Sequence, residues 1–291
     1  MKSNILFILS CLVLSLFIIS NFSDAQENVA ISSDEVKISF DVRGEGRPAL
    51  VFVHGWSNNR RTWDENVSHF SQKYKVVTVD LAGFGESGNN RKKWNMASFG
   101  RDVVAVIKKL NLDQVVLIGH SMGGAVIIET SKMIPKQISG IVLVDILQNI
   151  ERRYSQQYIS NIDSGYMASV IAPNIKKWKT AFKNNPDALS KRYFFMVENV
   201  PKIGWSESLK DFFRWSNEDC IESLKTIQIP ITSINSDQNP TNVEAFKKYH
   251  PSFEVKIIPN VSHYVTWEAP EQFNLLLEES IQEFINGSIK K

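Results

Sequence analysis

Cysteine is nearly absent from this 291-residue chain, which has only Cys11 and Cys220. Cys11 falls in an N-terminal apolar stretch, so Cys220 stands alone in the rest of the chain and an intrachain disulfide is excluded there. Cys220 sits in a polar Asn-Glu-Asp-Cys segment with no histidine close in sequence, which argues against a catalytic thiol. An excess of one charge is missing too: 33 Lys and Arg against 31 Asp and Glu leave a formal charge of +2. There is no basic patch and no alternation of basic with aromatic residues, so nucleic acid is not an expected partner. Clusters of His, Cys and Asp with metal-ligand spacing are lacking, and Gly83-Phe84-Gly85 has neither the third glycine nor the strand–helix setting of a dinucleotide site. Neither a metal nor a cofactor is therefore expected. Repeats and low-complexity tracts are absent. What is left is a length that suits one α/β domain with an insertion.

The one long apolar run lies at the N-terminus. Lys2 precedes an apolar segment over 5–19, and Ser23-Asp24-Ala25 offers the small residues that a signal peptidase reads. The run is short for a membrane span, and no stop-transfer pattern follows it. The expectation is a signal peptide over 1–25, cleaved after about Ala25, an exported (periplasmic or secreted) mature chain, and no stable membrane span after cleavage; an uncleaved N-terminal anchor is the alternative. Asn66-Val67-Ser68 is one of several Asn-x-Ser sequons, relevant only in a glycosylating host.

Beyond the leader, strand and helix patterns alternate. Val36, Ile38, Phe40 and Val42 share one face, as in an edge strand. Strands are expected at 49–53, 75–79, 115–118, 138–144, 229–234 and 253–258. Helical patterning covers 60–70 and 96–110, the latter with Phe99, Val103, Val106, Ile107 and Leu110 near helical spacing. Near-continuous apolar strands separated by helices imply an α/β fold: a mostly parallel, doubly wound sheet with helices on both faces. Ligands bind such sheets at the C-terminal strand edge. Trp56, Ser121, Asp145, Asp237 and His263 each follow a predicted strand, so they gather at that edge. The segment 146–226 interrupts the alternation. It is lysine-rich, aromatic and helically patterned, with breaks at Pro173, Pro186 and Pro201.

The decisive motif is Gly119-His120-Ser121-Met122-Gly123. An apolar strand leads into it, and small and apolar residues starting at Gly124 lead out. A serine on such a strand–turn–helix junction sits in a strained turn with its hydroxyl exposed, and the following helix N-terminus favours developing negative charge. Three further stretches accompany it in order: His54-Gly55-Trp56 after an upstream strand, Asp80 to Ser87, and Ser262-His263 after the last strand. On these four motifs the chain resembles the serine hydrolases of the α/β-hydrolase fold, from about residue 36 to the C-terminus apart from the middle insertion.

The resemblance implies roles. Ser121 would be the nucleophile and His263 its general base. Backbone N–H groups of Trp56 and Met122 would form the oxyanion hole. His54 and His120 would serve structurally, and the aspartate of the 80–87 loop would fix its turn. The acid departs from the common pattern, because Asn239-Pro240 occupies the slot where many relatives place an Asp. Asp237, two residues earlier, is the first choice on strand-end placement and chain order, and Asp145 is the alternative. The insertion would be a helical cap, giving a leader over 1–25, a core of 26–145 and 227–291, and a cap over 146–226. The expected activity is cleavage of a small carboxylic ester or lactone through an acyl-enzyme, with a small and apolar ester as substrate. The alternatives are a carbon–carbon bond hydrolase, an amidase or peptidase, a perhydrolase-like enzyme, or a non-catalytic member that binds a small ligand. Fold alone does not choose among these. Ser121 argues against the relatives that carry Asp at that position, the epoxide hydrolases and haloalkane dehalogenases.

Overall fold

The computed structural model describes residues 28–162, 182–197 and 202–289. The expected signal peptide lies outside them, as do Pro173, Pro201, Tyr166 and Trp178 of the expected cap. Eight strands form one sheet: β1 (Val29–Ile31), β2 (Lys37–Arg43), β3 (Ala49–Val53), β4 (Val76–Val79), β5 (Val115–His120), β6 (Ile138–Val144), β7 (Ile231–Ser236) and β8 (Glu254–Ile258), in the order β1-β2-β4-β3-β5-β6-β7-β8. β1 and β2 pair antiparallel, and from β4 to β8 every pairing is parallel. β1 was not expected from sequence, since three residues are too few to show a period.

Parallel strands need crossovers, and helices supply them. Between strands lie α1 (Asp64–Phe70), α2 (Met96–Lys109) and α3 (Met122–Met133). After β6 come α4 (Gln156–Ser160), α5 (Pro186–Val197), α6 (Lys202–Glu218) and α7 (Cys220–Thr226). α8 (Val243–Tyr249) joins β7 to β8, and α9 (Val265–Glu268) and α10 (Pro270–Ile289) close the chain. Residues 60–63 form a 3-10 turn ahead of α1, where sequence patterning suggested one continuous helix.

The sheet is covered on both faces, which explains why its central strands are apolar throughout. Val51 and Val53 of β3, Leu117 of β5 and Leu143 of β6 pack with Phe99 and Val103 of α2 and Ile128 of α3. The alternate residues Leu50, Phe52, Val116, Ile118 and Val142 face Phe70 of α1 and Phe273, Leu277 and Ile281 of α10. The period of two thus feeds two cores from the same strands. All of these side chains are buried, and truncating one of the leucines to alanine would cost roughly 2–5 kcal/mol. This double layer gives the loops at the C-terminal strand edge a fixed platform.

The Asn66 sequon is not a usable surface site in the folded chain. Asn66 is buried and donates its amide to Asn274 Oδ1 at 2.8 Å.

Candidate active site

The turn between β5 and α3 is shaped by close backbone approach. Ser121 has φ 52° and ψ −127°, a left-handed conformation that is costly for a side-chain-bearing residue. A Cβ on Gly119 would lie 2.4 Å from the Gly123 carbonyl oxygen, and one on Gly123 would lie 2.5 Å from that of Val53. Any larger residue at either position would push the elbow off the sheet. Two backbone bonds hold it there: Ser121 N–H donates to Val144 O (3.0 Å), and Gly124 N–H donates to Ser121 O (2.8 Å).

The turn after β3 lies against this elbow. A Cβ on Gly55 would be 3.0 Å from Ser121 Cβ, so Trp56 follows directly beside the serine. His54 fixes that turn. Leu81 N–H donates to its Nε2 (3.1 Å), which leaves Nδ1 to donate to Gly55 O (2.7 Å). Burial lowers the ring's pKa, which keeps it neutral and suits this two-ended role. Met122 is the first residue of α3, so its N–H has no acceptor within the helix. Trp56 and Met122, whose N–H groups are expected to hold an oxyanion, therefore both belong to turns that meet at Ser121. The Trp56 indole itself points elsewhere and donates to Trp205 O at 2.9 Å, binding the turn to α6.

His263 meets Asp145, not Asp237. Its Nδ1 lies 2.6 Å from Asp145 Oδ2. The other carboxylate oxygen of Asp145 accepts the Ser236 N–H at 2.7 Å. Burial by itself would raise the Asp145 pKa, but the bonds from His263 and Ser236 outweigh it and hold the carboxyl below its usual value. Asp145 adopts φ 46°, which turns its side chain beneath the histidine as the chain leaves β6. With Nδ1–H donated to this carboxylate, Nε2 is left as the basic nitrogen of the ring.

The expectation for Asp237 is corrected by the length of β7. The strand was expected to end at 234 but runs to Ser236, which carries Asp237 past the sheet edge on the β8 side. There its carboxylate accepts the Asn260 N–H (3.0 Å) and pairs with Lys183 Nζ (3.1 Å). Those two contacts, Asn260 first, lower its pKa. Asp237 braces the start of the histidine loop and does not touch His263.

His120 supports the same loop from below. Its Nε2 lies 2.9 Å from the His263 carbonyl oxygen and donates to it, and the two rings are 4.7 Å apart. Burial, then the proximity of His263, lowers the His120 pKa to about 3, so the ring is neutral. Glu268 adds a clamp. Its Oε1 accepts from the N–H (2.8 Å) and hydroxyl of Ser262, while Oε2 accepts the N–H groups of Lys183 and Asn184 (both 2.8 Å). One carboxylate therefore ties the histidine loop to the segment leading into α5. Asp80 is consumed by its own turn, accepting from the N–H groups of Arg60 (2.7 Å) and Glu86 (2.9 Å) and pairing with the Arg60 guanidinium.

Ser121, Asp145 and His263 line one cavity of about 340 Å³. Ile146, Leu147, Ile150 and Phe212 give it apolar walls, while Gln148, Asn149, Arg152, Ser216 and Asn239 make the lining mixed, where sequence composition pointed to an apolar pocket. Cys220 also reaches this cavity, but burial pushes its thiol up to about 12, which keeps it protonated and a poor nucleophile. Among the described residues no three His, Cys, Asp or Glu side chains could hold a metal ion, and no helix is long and apolar enough to cross a membrane.

Sequence reasoning missed Glu268, Arg152 and the support given by Tyr264. The Tyr264 ring packs 5.2 Å from His120 and 5.3 Å from Phe182, so it buttresses the site from the insertion side. Glu268 is flagged only by its place five residues after His263, and Arg152 only by lying in the segment that follows β6 at the ligand-bearing edge.

Known proteins agree with this architecture. A solved esterase from Exiguobacterium antarcticum superposes with a TM-score of 0.76 over 88% of this chain and 100% of its own, at 17% identity, a likeness of fold. The 3-oxoadipate enol-lactonase 2 of Acinetobacter baylyi is 22% identical over 264 residues, covering 87% of this chain and 96% of its own. A dihydrolipoyllysine-residue acetyltransferase component of the acetoin cleaving system of Pseudomonas putida is 24% identical over 243 residues, 81% of this chain, and the chain spans 64% of that relative's length. A family model described as alpha/beta hydrolase fold matches residues 48–270, and the chain belongs to the α/β-hydrolase fold family.

Proposed function

We propose that the protein is a serine hydrolase that cleaves small carboxylic esters or lactones through an acyl-enzyme. The observation that carries this reading is the 2.6 Å contact of His263 Nδ1 with the buried Asp145, in a cavity that His263 shares with the strained Ser121. Ser121 Oγ attacks the substrate carbonyl carbon while His263 Nε2 takes its proton. Asp145 stays ionised, fixes the tautomer and stabilises the imidazolium. The oxyanion of the tetrahedral intermediate faces the N–H groups of Trp56 and Met122, and one such donor is worth about a hundred- to a thousandfold in rate. Collapse breaks the ester C–O bond, and the leaving oxygen receives its proton from His263. A water, deprotonated by the same nitrogen, then attacks the acyl-enzyme and frees the acid and Ser121. In a lactone, alcohol and acid leave as one molecule.

The missing acid at Asn239 was the one sequence feature that favoured a non-catalytic binder. Asp145 supplies a carboxylate to His263, which removes that ground. The test is turnover of p-nitrophenyl esters of increasing chain length, with Ser121→Ala alongside. Hydrolysis by the wild type and a loss of roughly a thousandfold or more in the variant is expected. Turnover that survives Ser121→Ala would reject the assignment. The reading includes export with removal of residues 1–25; N-terminal sequencing of the protein recovered from producing cells checks it, and a mature chain that retains Met1 contradicts it.

A further inference from the structure

One wall of the site carries a charge that the hydrolytic chemistry does not use. Arg152 lines the same cavity as Ser121 and His263 and is exposed at its mouth. Among the described residues its guanidinium has no carboxylate partner, whereas the neighbouring Glu151 is turned away to Lys248 Nζ (3.1 Å) and the Tyr249 hydroxyl (3.3 Å). The loop thus sends its negative charge outward and leaves its positive charge at the cavity. Among the described residues the one carboxylate in the lining, Asp145, is buried and engaged by His263 and Ser236.

The loop is also held in place. The Arg152 guanidinium lies 5.0 Å from the centre of the Tyr154 ring. Tyr154 exchanges two backbone bonds with the Asn217 side chain, both 2.8 Å, and packs its ring 4.5 Å from Phe213. The Arg152 N–H donates to Asn149 O at 3.2 Å. A stacked guanidinium with free edges presents a fork of N–H donors that matches a carboxylate.

We propose that Arg152 forms an anion subsite, and that the substrates are esters or lactones bearing a carboxylate remote from the scissile carbonyl. This rests on the hydrolase reading above and adds the charge of the substrate to it. In chemical terms, the preferred substrate is a half-ester of a dicarboxylic acid, or the equivalent lactone acid, small enough for a cavity of about 340 Å³.

The test compares p-nitrophenyl hydrogen adipate with p-nitrophenyl hexanoate, whose acyl chains have equal carbon length, on the wild type, Arg152→Met and Arg152→Lys. Because Arg152 is exposed, the charge-assisted contact is expected at the weak end, about tenfold in kcat/KM. Arg152→Met should lose about that much more on the adipate half-ester than on the hexanoate, mainly through KM. Arg152→Lys should fall between, and added salt should shrink the wild-type preference. A second pair, 4-carboxyphenyl and 4-carbamoylphenyl hexanoate, moves the anion to the leaving group; discrimination in this pair alone places the subsite on that side and still supports Arg152. Equal losses on charged and neutral esters in both pairs overturn the proposal. Hexanoate turnover abolished by Ser121→Ala keeps the hydrolase reading intact, so a missing charge preference then counts against Arg152 alone. Calorimetric titration of adipate into Ser121→Ala gives a readout free of turnover. Binding weakened by adding Arg152→Met supports the subsite even where no ester is cleaved; absence of both binding and turnover rejects both readings.

Discussion

Two aspartates follow neighbouring parallel strands at the same edge of the sheet, and they have different fates. Asp145 follows β6, is buried, and gives its two oxygens to His263 and to the Ser236 N–H. Asp237 follows β7, is exposed, and gives its oxygens to Lys183 and to the Asn260 N–H. Both carboxyls lie below their usual pKa, so ionisation does not distinguish them. Direction and burial do. The proposed role needs a carboxylate held against the histidine and away from water, and of the two only Asp145 is so placed. The other carboxylate became a brace for the loop that carries the histidine.

The sharpest way to break this contrast is to remove each charge in turn. Asp145→Asn should lower kcat for ester hydrolysis by about a thousand- to ten-thousandfold, because the imidazolium loses its counter-charge and the ring its tautomer. Asp237→Asn should stay within about tenfold, since a neutral amide can still accept the Asn260 N–H and the lost Lys183 pair is exposed. The reverse ranking in steady-state kinetics would overturn the assignment.

The same pair differs in its link to acid stability. The Asp145 carboxyl is depressed in the folded chain, so its contribution to stability is present above the unfolded carboxylate range, about pH 4. It is lost as pH falls through the lower folded value. Denaturant titrations between pH 7 and pH 3 should therefore show a flatter acid decline for Asp145→Asn than for the wild type. Asp237→Asn should change that slope less, because its partners are solvent-accessible. Parallel declines for the wild type and Asp145→Asn would remove the linkage argument.

Much of this was legible in the chain. Continuous apolar strands such as Ala49–Val53 and Val115–His120 gave the parallel sheet, because a doubly covered strand has no polar face. The strained turn at Ser121 was legible because close backbone approach at Gly119 and Gly123 leaves a local signature. The acid was not. Which carboxylate reaches a histidine depends on where a strand ends and how the chain turns, and two further residues of β7 decided it. The Glu268 clamp and the Arg152 wall were equally hidden, since each depends on contacts between segments distant in sequence.

The contrast between site and support can be sharpened at His120. This ring packs against His263 but hydrogen-bonds to it only through the His263 carbonyl oxygen, and it is neutral. His120→Phe keeps an aromatic ring in the same packing and deletes that one hydrogen bond. A buried hydrogen bond contributes about 1 kcal/mol net, so kcat should fall by about five- to tenfold. Because His120 does not titrate near neutrality, the pH profile of kcat/KM should keep its shape in the variant. A displaced acid limb would instead make His120 a participant in proton transfer.

The smallest effect is expected where the core meets the insertion. The Trp56 indole donates to Trp205 O at 2.9 Å, and the two rings lie 5.3 Å apart. Trp56→Phe retains a ring in the contact but leaves that carbonyl without its donor. The backbone N–H of residue 56, the group proposed to face the oxyanion, is unaltered by the substitution. Stability should fall by about 1 kcal/mol, while kcat changes by no more than a few-fold. Urea denaturation and ester kinetics on the same preparation separate the two. A hundredfold fall in kcat with near-normal stability would mean that the indole itself orients the oxyanion turn, and the division between a fixed sheet edge and a merely attached insertion would then have to be redrawn at Trp56.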